Sequence, residues 1–160
     1  MHTTRTRSGY RQLLAVAIVV IVVDHATKFA ASLASGDRHG PVVPVHNPSF
    51  SLGLVGASFG VEVALMLAGI CAAVWFAVAQ IRQGRLSGWA AGLVVGGAVA
   101  NLADRALTGT VHDFLATPWI VFNVADLAVV AGLLAAGRSI VNAVSTGGAA
   151  GDRGVRASVR

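Results

Sequence analysis

Charge is what this 160-residue chain has little of. Only 12% of its residues are Asp, Glu, Lys or Arg, while 55% are hydrophobic and the mean hydropathy is +0.71. An ordinary soluble domain carries about 25% charged residues, so this balance excludes a water-soluble globule. Acids are scarcer still, seven against twelve Lys and Arg, for a net charge of +5. A basic chain invites a nucleic-acid reading, but the arginines form no dense patch interleaved with aromatics, which make up only 6%. The single cysteine, Cys71, excludes an intramolecular disulfide or a cysteine cluster for metal, and within its apolar run it reads as helix packing. His25, His39, His46 and His112 do not recur on one face at a metal-ligand spacing, so no metal site is expected.

What is present is apolar length. Four runs stand out, at about residues 13–33, 61–81, 89–107 and 119–140. Each is close to the ~20 residues needed to cross ~30 Å of hydrocarbon. The first is too long for the apolar core of a cleaved signal peptide and contains Asp24 and Lys28, so it is read as a retained span. Arg5, Arg7 and Arg11 precede it, Arg82 and Arg85 separate the second and third runs, and Arg138, Arg153, Arg156 and Arg160 lie at or beyond the end of the fourth. Four spans put all of these on one side, which the positive-inside rule makes cytoplasmic, together with both termini. The fold class expected is an all-α polytopic membrane protein with four transmembrane helices, forming one domain over residues 1–144. The segment 36–60 contains Pro41, Pro44, Pro48 and a valine-rich stretch, and predicts a small extracytoplasmic β-rich piece between the first two helices. The tail 145–160, rich in Gly, Ser and Arg, is expected to be disordered.

Against this background four carboxylates are conspicuous: Asp24, Asp104, Asp113 and Asp126. Ionisable groups at bilayer depth are costly and mark cavities, proton paths or catalytic centres. The four-span topology brings all of them to the extracytoplasmic level, with Asp126 roughly 10 Å below the outer end of the fourth run at helical rise. Asp24 and Lys28, four apart with the acid first, are set for a helical ion pair. Asn101 and Asp104 share a helix face, and Arg105 beside them is expected to pair with a carboxylate. Gly92, Gly96 and Gly97, with Ala98 and Ala100, offer a small-residue face for close helix packing. No strand precedes these glycines, so they do not read as a dinucleotide loop.

Five blocks carry the polar residues in order: Asp24-His-Ala-Thr-Lys28; His46-Asn47-Pro-Ser-Phe-Ser-Leu-Gly53; Gly96-Gly97-Ala-Val-Ala-Asn101-Leu-Ala-Asp104-Arg105; Gly109-Thr-Val-His-Asp113-Phe114; and Phe122-Asn123-Val-Ala-Asp126. Spanning about residues 11–140, this ordered set resembles the bacterial lipoprotein signal peptidases, or signal peptidase II. The chain departs from that pattern at Ser49, where glycine is usual, at Leu52, where an aromatic is usual, at Ala100, where glycine is usual, and at Leu127, where serine or a similar residue often stands. None of these touches the aspartates, Asn47, Asn101, Arg105 or Asn123.

From chemistry alone Asp113 and Asp126 form the best catalytic pair, since thirteen residues allow a loop to turn back and bring both to the mouth of the fourth span. A close carboxyl pair shares one proton, so that one member serves as general base on water and the other donates to the scissile carbonyl. Taken singly, Asp113 also reads as a turn residue, and Asp126 could instead pair with Lys28 or Arg105. The resemblance selects the same dyad. It further implies a cofactor-free aspartic endopeptidase that cuts diacylglyceryl-modified prolipoproteins just before the lipidated cysteine. On this reading Asn47, Asn101, Asp104, Arg105, Asn123, Asp24 and Lys28 bind substrate or support the site. The expected partners are lipid-modified prolipoproteins and membrane lipids, with no nucleic acid, and the enzyme is expected to be a monomer in the bacterial inner membrane. The competing readings are a small proton- or ion-coupled carrier and a non-catalytic tetraspan relative.

Overall fold

The structure, a computed structural model, describes residues 2–33, 42–47 and 58–158, with side chains over residues 4–33 and 58–145. Most of the segment 36–60, including Ser49 and Leu52, lies outside the described residues, as does the side chain of Asn47. The elements run α1 (His2–Leu33), β1 (Val42–Asn47), α2 (Phe59–Arg82), α3 (Gly88–Thr108), β2 (Val111–Ala116), β3 (Val121–Phe122) and α4 (Val124–Ser158). All four helices are long and apolar enough to cross a membrane. The protein is therefore a four-helix, multi-pass membrane protein.

Each helix divides its residues between protein and lipid by helical spacing. On α1 the buried positions are Leu13, Ala17, Val20, Asp24, Lys28 and Ala31, a stripe of steps of three and four, while Leu14, Ile18, Val22 and Phe29 are exposed. The one acid and one amine of the α1 span thus lie on the inward stripe. α3 is the least apolar of the four spans and the most enclosed, with half of its most apolar window buried against 11% for α2 and for α4. It packs against all three other helices, most extensively α1 and α4.

Small residues make those contacts close. A Cβ added at Gly96 would fall 2.8 Å from Ala17 Cα on α1, and one at Gly92 would fall 2.7 Å from the Leu13 carbonyl oxygen. Gly97 lies instead against the Ala125 carbonyl of α4. The glycines of α3 therefore serve two faces, Gly92 and Gly96 toward α1 and Gly97 toward α4. Backbones that approach this closely gain van der Waals contact, which drives helix association where lipid is as apolar as the side chains. A compact apolar cluster of Leu13, Ala77, Ile81, Leu86, Ala90 and Ala91 joins α1, α2 and α3 near the short turn between α2 and α3. That turn needs a positive φ, which Gly84 supplies at 68°, and Gly109 at 75° ends α3 in the same way, its N–H bonded to the Arg105 carbonyl at 2.9 Å.

A three-stranded antiparallel sheet in the order β1-β2-β3 covers the other end of the bundle. β1 falls in the segment where strands were expected. The remaining two strands occupy the α3–α4 connection, which reads as a plain loop in the sequence. The register pairs Val45 with Asp113 and His46 with His112, and is irregular between Val42 and Val45, where Pro44 has no N–H to give. Thr117 and Ile120 close the β2–β3 turn through N–H and Oγ1 bonds of 2.9 and 2.8 Å to the Ile120 carbonyl, with Pro118 between them.

One expectation about α4 changes. The helix starts at Val124 rather than near Trp119, because residues 117–122 are held by the β2–β3 hairpin. Its backbone runs on to Ser158.

Matched glycine substitutions test the packing. Gly96→Ala should lower the thermal unfolding midpoint in detergent, since the new methyl meets α1 backbone. Gly69→Ala, with nothing within 4 Å of the added Cβ, should leave the midpoint unchanged or raise it, since alanine is favoured over glycine in a helix by up to ~1 kcal/mol. Equal midpoints for the two variants would contradict the close α1–α3 approach.

Candidate active site

Helix α4 begins inside the protein, and its first turn has to satisfy N–H groups that water cannot reach. Asn123 and Ala125 are fully buried. Asn123 Oδ1 accepts from the Asp126 N–H at 2.9 Å, and Asp126 Oδ2 accepts in return from the Asn123 N–H at 3.1 Å. This is a reciprocal capping box with aspartate in place of the usual glutamate. The Ala125 N–H donates to Asp24 Oδ1 of α1 at 2.8 Å. Asp126 therefore sits in the first turn of α4 and not two turns down the span, as the apolar run suggested.

The capping asparagine also reaches the sheet. Its Nδ2 donates to Asp113 Oδ1 at 2.7 Å and to Asn101 Oδ1 at 3.1 Å. Asn101 Nδ2 in turn donates to Asp126 Oδ1 at 2.8 Å. Asp113, buried on the central strand, and Asp126, half-buried on α4, are thus held through one shared residue, Asn123. Both side-chain oxygens of Asp126 accept hydrogen bonds, so its plane is set by Asn101 on one side and the α4 backbone on the other.

A second polar group supports the first. Lys28 pairs with Asp24 one turn earlier on α1, and across to Asp104 of α3 at 2.8 Å, with Asn101 Oδ1 at 3.4 Å. Asn101 and Asp104, on one face of α3, thus both meet the same ammonium. Asp104 Oδ2 also accepts from the His112 main-chain N–H at 3.1 Å, tying α3 to β2. Two histidine rings lie near this carboxylate: His112 Nδ1 at 3.6 Å and His25 Nε2 at 3.8 Å, the latter with its Nδ1 bonded to the Ile21 carbonyl at 3.0 Å.

The structure therefore brings Asp24, Lys28, Asn101, Asp104, Asp113, Asn123 and Asp126 into one connected network. Asn47 lies at the end of β1, opposite Val111. The buried guanidinium of Arg105 bonds Glu62 of α2 at 3.1 Å. Asp126 meets neither of the cations that compete for it in the sequence reading. Glu62 is the residue sequence reasoning missed. Its signal was available, an acid at the head of an apolar run, buried here in the first turn of α2.

The arrangement has two properties useful for hydrolysis. Asp113 and Asp126 accept from the amide groups of Asn123 and Asn101, which orient both carboxyls. The arrangement also lies at helix ends beside a sheet, with Asp126 half-buried and Asp113 on the central strand. The Arg105–Glu62 pair joins α2 to α3 at the same end, and a double-mutant cycle measures it. The Glu62→Met/Arg105→Met double variant should be less destabilised than the sum of the two single changes, by roughly 0.5–3 kcal/mol in detergent unfolding. Strict additivity would show that the pair is not coupled.

Residues 16–141 match the family described as signal peptidase (SPase) II. A lipoprotein signal peptidase of Pelotomaculum thermopropionicum is 34% identical over 145 residues, covering 81% of this chain and 91% of that protein. One of Methylorubrum extorquens is 39% identical over 147 residues, covering 82% and 84%. A bacterial membrane enzyme solved by the in meso method at 2.3 Å resolution superposes with a TM-score of 0.72 at 22% identity, over 84% of this chain and 90% of that one. A second, at 1.9 Å, gives 0.63 at 23% identity over 82% and 91%. At these identities the two structures speak for the fold alone. The family match takes in every polar residue of the network, from Asp24 to Asp126, and the chain belongs to the signal peptidase II family of aspartic-type membrane peptidases.

Proposed function

We propose that this chain removes signal peptides from diacylglyceryl-modified prolipoproteins, cutting just before the lipidated cysteine, with Asp113 and Asp126 as its catalytic dyad. The observation that carries this reading is the double role of Asn123, whose side-chain amide donates to Asp113 at 2.7 Å and whose main-chain N–H donates to Asp126 at 3.1 Å. Two acids from distant elements, a strand and a helix start, are thereby fixed on one residue at the mouth of the bundle. Structural capping of α4 accounts for Asp126 but gives no reason for a buried carboxylate on β2.

The dyad holds one proton between its two carboxyls. The ionised member takes a proton from a water, whose oxygen attacks the scissile carbonyl carbon, while the protonated member donates to the carbonyl oxygen. Collapse of the tetrahedral intermediate breaks the C–N bond and passes a proton to the departing amine, leaving a new carboxylate and a new N-terminal cysteine. Acid and base belong to the pair and not to fixed members. Asn101 and Asn123 hold the carboxyl planes, Lys28 balances Asp24 and Asp104, and Arg105 braces α2 through Glu62. Asn47, at the end of the strand paired with β2, is assigned to the substrate backbone.

The arginine distribution assigns both termini to the cytoplasm of a bacterial inner membrane and the dyad to the opposite face. That level suits the substrate, whose lipid-anchored cysteine keeps its cleavage site near the headgroups. The gathering of the carboxylates at one end of the bundle disfavours a carrier, which needs them strung across the bilayer.

The test is cleavage of a diacylglyceryl-modified prolipoprotein by the purified protein in detergent, beside Asp113→Asn and Asp126→Asn. Each variant should lose activity by roughly 10²–10⁴-fold, with unfolding midpoints confirming that it is folded. An inactive parent, or full cleavage by either variant, would overturn the assignment.

A further inference from the structure

At the end of the bundle away from the sheet lies a cavity of about 420 Å³. Arg5, Ser8 and Gln12 of α1, Arg85 and Ser87 of the α2–α3 connection, and Ser139 of α4 line it, with no acidic residue among its described walls. Three observations give it a chemical preference. Arg5 and Arg85, both exposed, border a space that has no carboxylate among its described lining residues. The first turn of α3 opens onto it, with Gly88 held against the Gly9 carbonyl of α1, so the positive end of a 21-residue helix is fixed in place. Ser87, the residue that should cap that helix, makes no side-chain capping bond, and its buried Oγ has no hydrogen-bond partner at all. A buried hydroxyl left unpaired is uncommon and calls for a missing partner.

We infer that this cavity binds the phosphate of an anionic phospholipid headgroup, with Arg5 and Arg85 supplying the charge and Ser8 donating to its oxygens, joined by Ser87 once its hydroxyl turns from its buried position into the cavity. The chemistry, a tetrahedral oxyanion facing guanidinium forks, hydroxyls and a helix N-terminus, is shared with free phosphate. Position favours the lipid. The cavity opens at the ends of membrane-crossing helices, the level at which headgroup phosphates lie on either face of a bilayer. Leu14, two residues beyond Gln12, is 60% exposed and Trp89, next to Gly88, 46%, apolar surface along which acyl chains can lie. The site is at the far end of the bundle from Asp113 and Asp126, and the inference does not depend on what those residues do.

Short-chain phosphatidylglycerol, titrated into the purified full-length protein in neutral detergent, should raise the unfolding midpoint saturably. The same concentrations of chain-matched phosphatidylcholine should raise it far less. Arg5→Gln/Arg85→Gln should weaken the apparent affinity roughly tenfold, the scale of a lost charge-assisted contact, whereas Arg82→Gln, just outside the cavity, should not. Ser87→Ala should also weaken the response without lowering the lipid-free midpoint, since it deletes a hydroxyl that has no partner. Identical titrations for parent and double variant, or an equal response to phosphatidylcholine, would overturn the proposal. Saturation by inorganic phosphate that phosphatidylglycerol fails to displace would overturn the lipid assignment.

Discussion

The buried start of α4 constrains most of what surrounds it. A helix that begins inside a membrane protein exposes its first N–H groups to an environment where unpaired donors cost several kcal/mol each. Here the partners are Asn123 Oδ1 for the Asp126 N–H and Asp24 Oδ1 for the Ala125 N–H. The first bond fixes the side chain of Asn123, and with it the amide that holds Asp113. The second locks α1 to α4 across a sequence separation of 101 residues. A requirement of backbone satisfaction thus becomes a device for placing carboxylates, because the residues best able to cap the helix are acids and their amides.

Two routes connect the strand acid to the helix acid. The short one runs from Asp113 through Asn123 to Asp126. The longer one runs from α4 through Asp24 and Lys28 to Asp104, and from Asp104 to the main chain of β2 at His112, next to Asp113. Because β2 is anchored at a residue adjacent to Asp113, rotation of the strand would break both routes together. Preorganisation of this kind lets a polar site act without reorganising at the moment of reaction. It also explains why so many ionisable groups are tolerated in so apolar a chain: Lys28 is shared by two carboxylates, and Arg105 has Glu62 within hydrogen-bond reach.

Sequence reading succeeded where one dominant physical effect spoke and failed where local and tertiary effects competed. Hydropathy located all four helices because hydrocarbon thickness sets their length, and the spacing of Asp24 and Lys28 placed them on one turn of α1. The start of α4 was misplaced because Trp119, Ile120, Val121 and Phe122 are as apolar as a helix, whereas the hairpin bonds of Thr117 and pairing with β2 hold them extended. Asn123-Val-Ala-Asp126 spells a capping pattern that could have corrected this, since an amide three residues before an acid marks a helix start. The pairing of β2 with β1 was illegible for a different reason: strand partners more than sixty residues apart leave no periodic trace. Glu62 escaped notice because a single acid at the edge of an apolar run looks like an interfacial residue until its partner is known.

The two ends of the bundle use polar groups in opposite ways, and α3 shows why. Its 21 residues span roughly 32 Å at helical rise, about the thickness of the hydrocarbon core. Asp104 and Arg105 at its C-terminal end and Ser87 and Gly88 at its N-terminal end therefore lie near opposite interfaces. At the C-terminal end the site's polar side chains are bound to one another, which suits a site that must hold acids in fixed positions. At the N-terminal end the side chain of Ser87 makes no capping bond and arginines border an open cavity, which leaves room for a partner from outside the chain. Arginines that set the orientation of a membrane protein are ordinarily read as topological signals alone. Where two of them converge on an uncapped helix start, the same residues that favour one side of the membrane also have the geometry to grip what is found there.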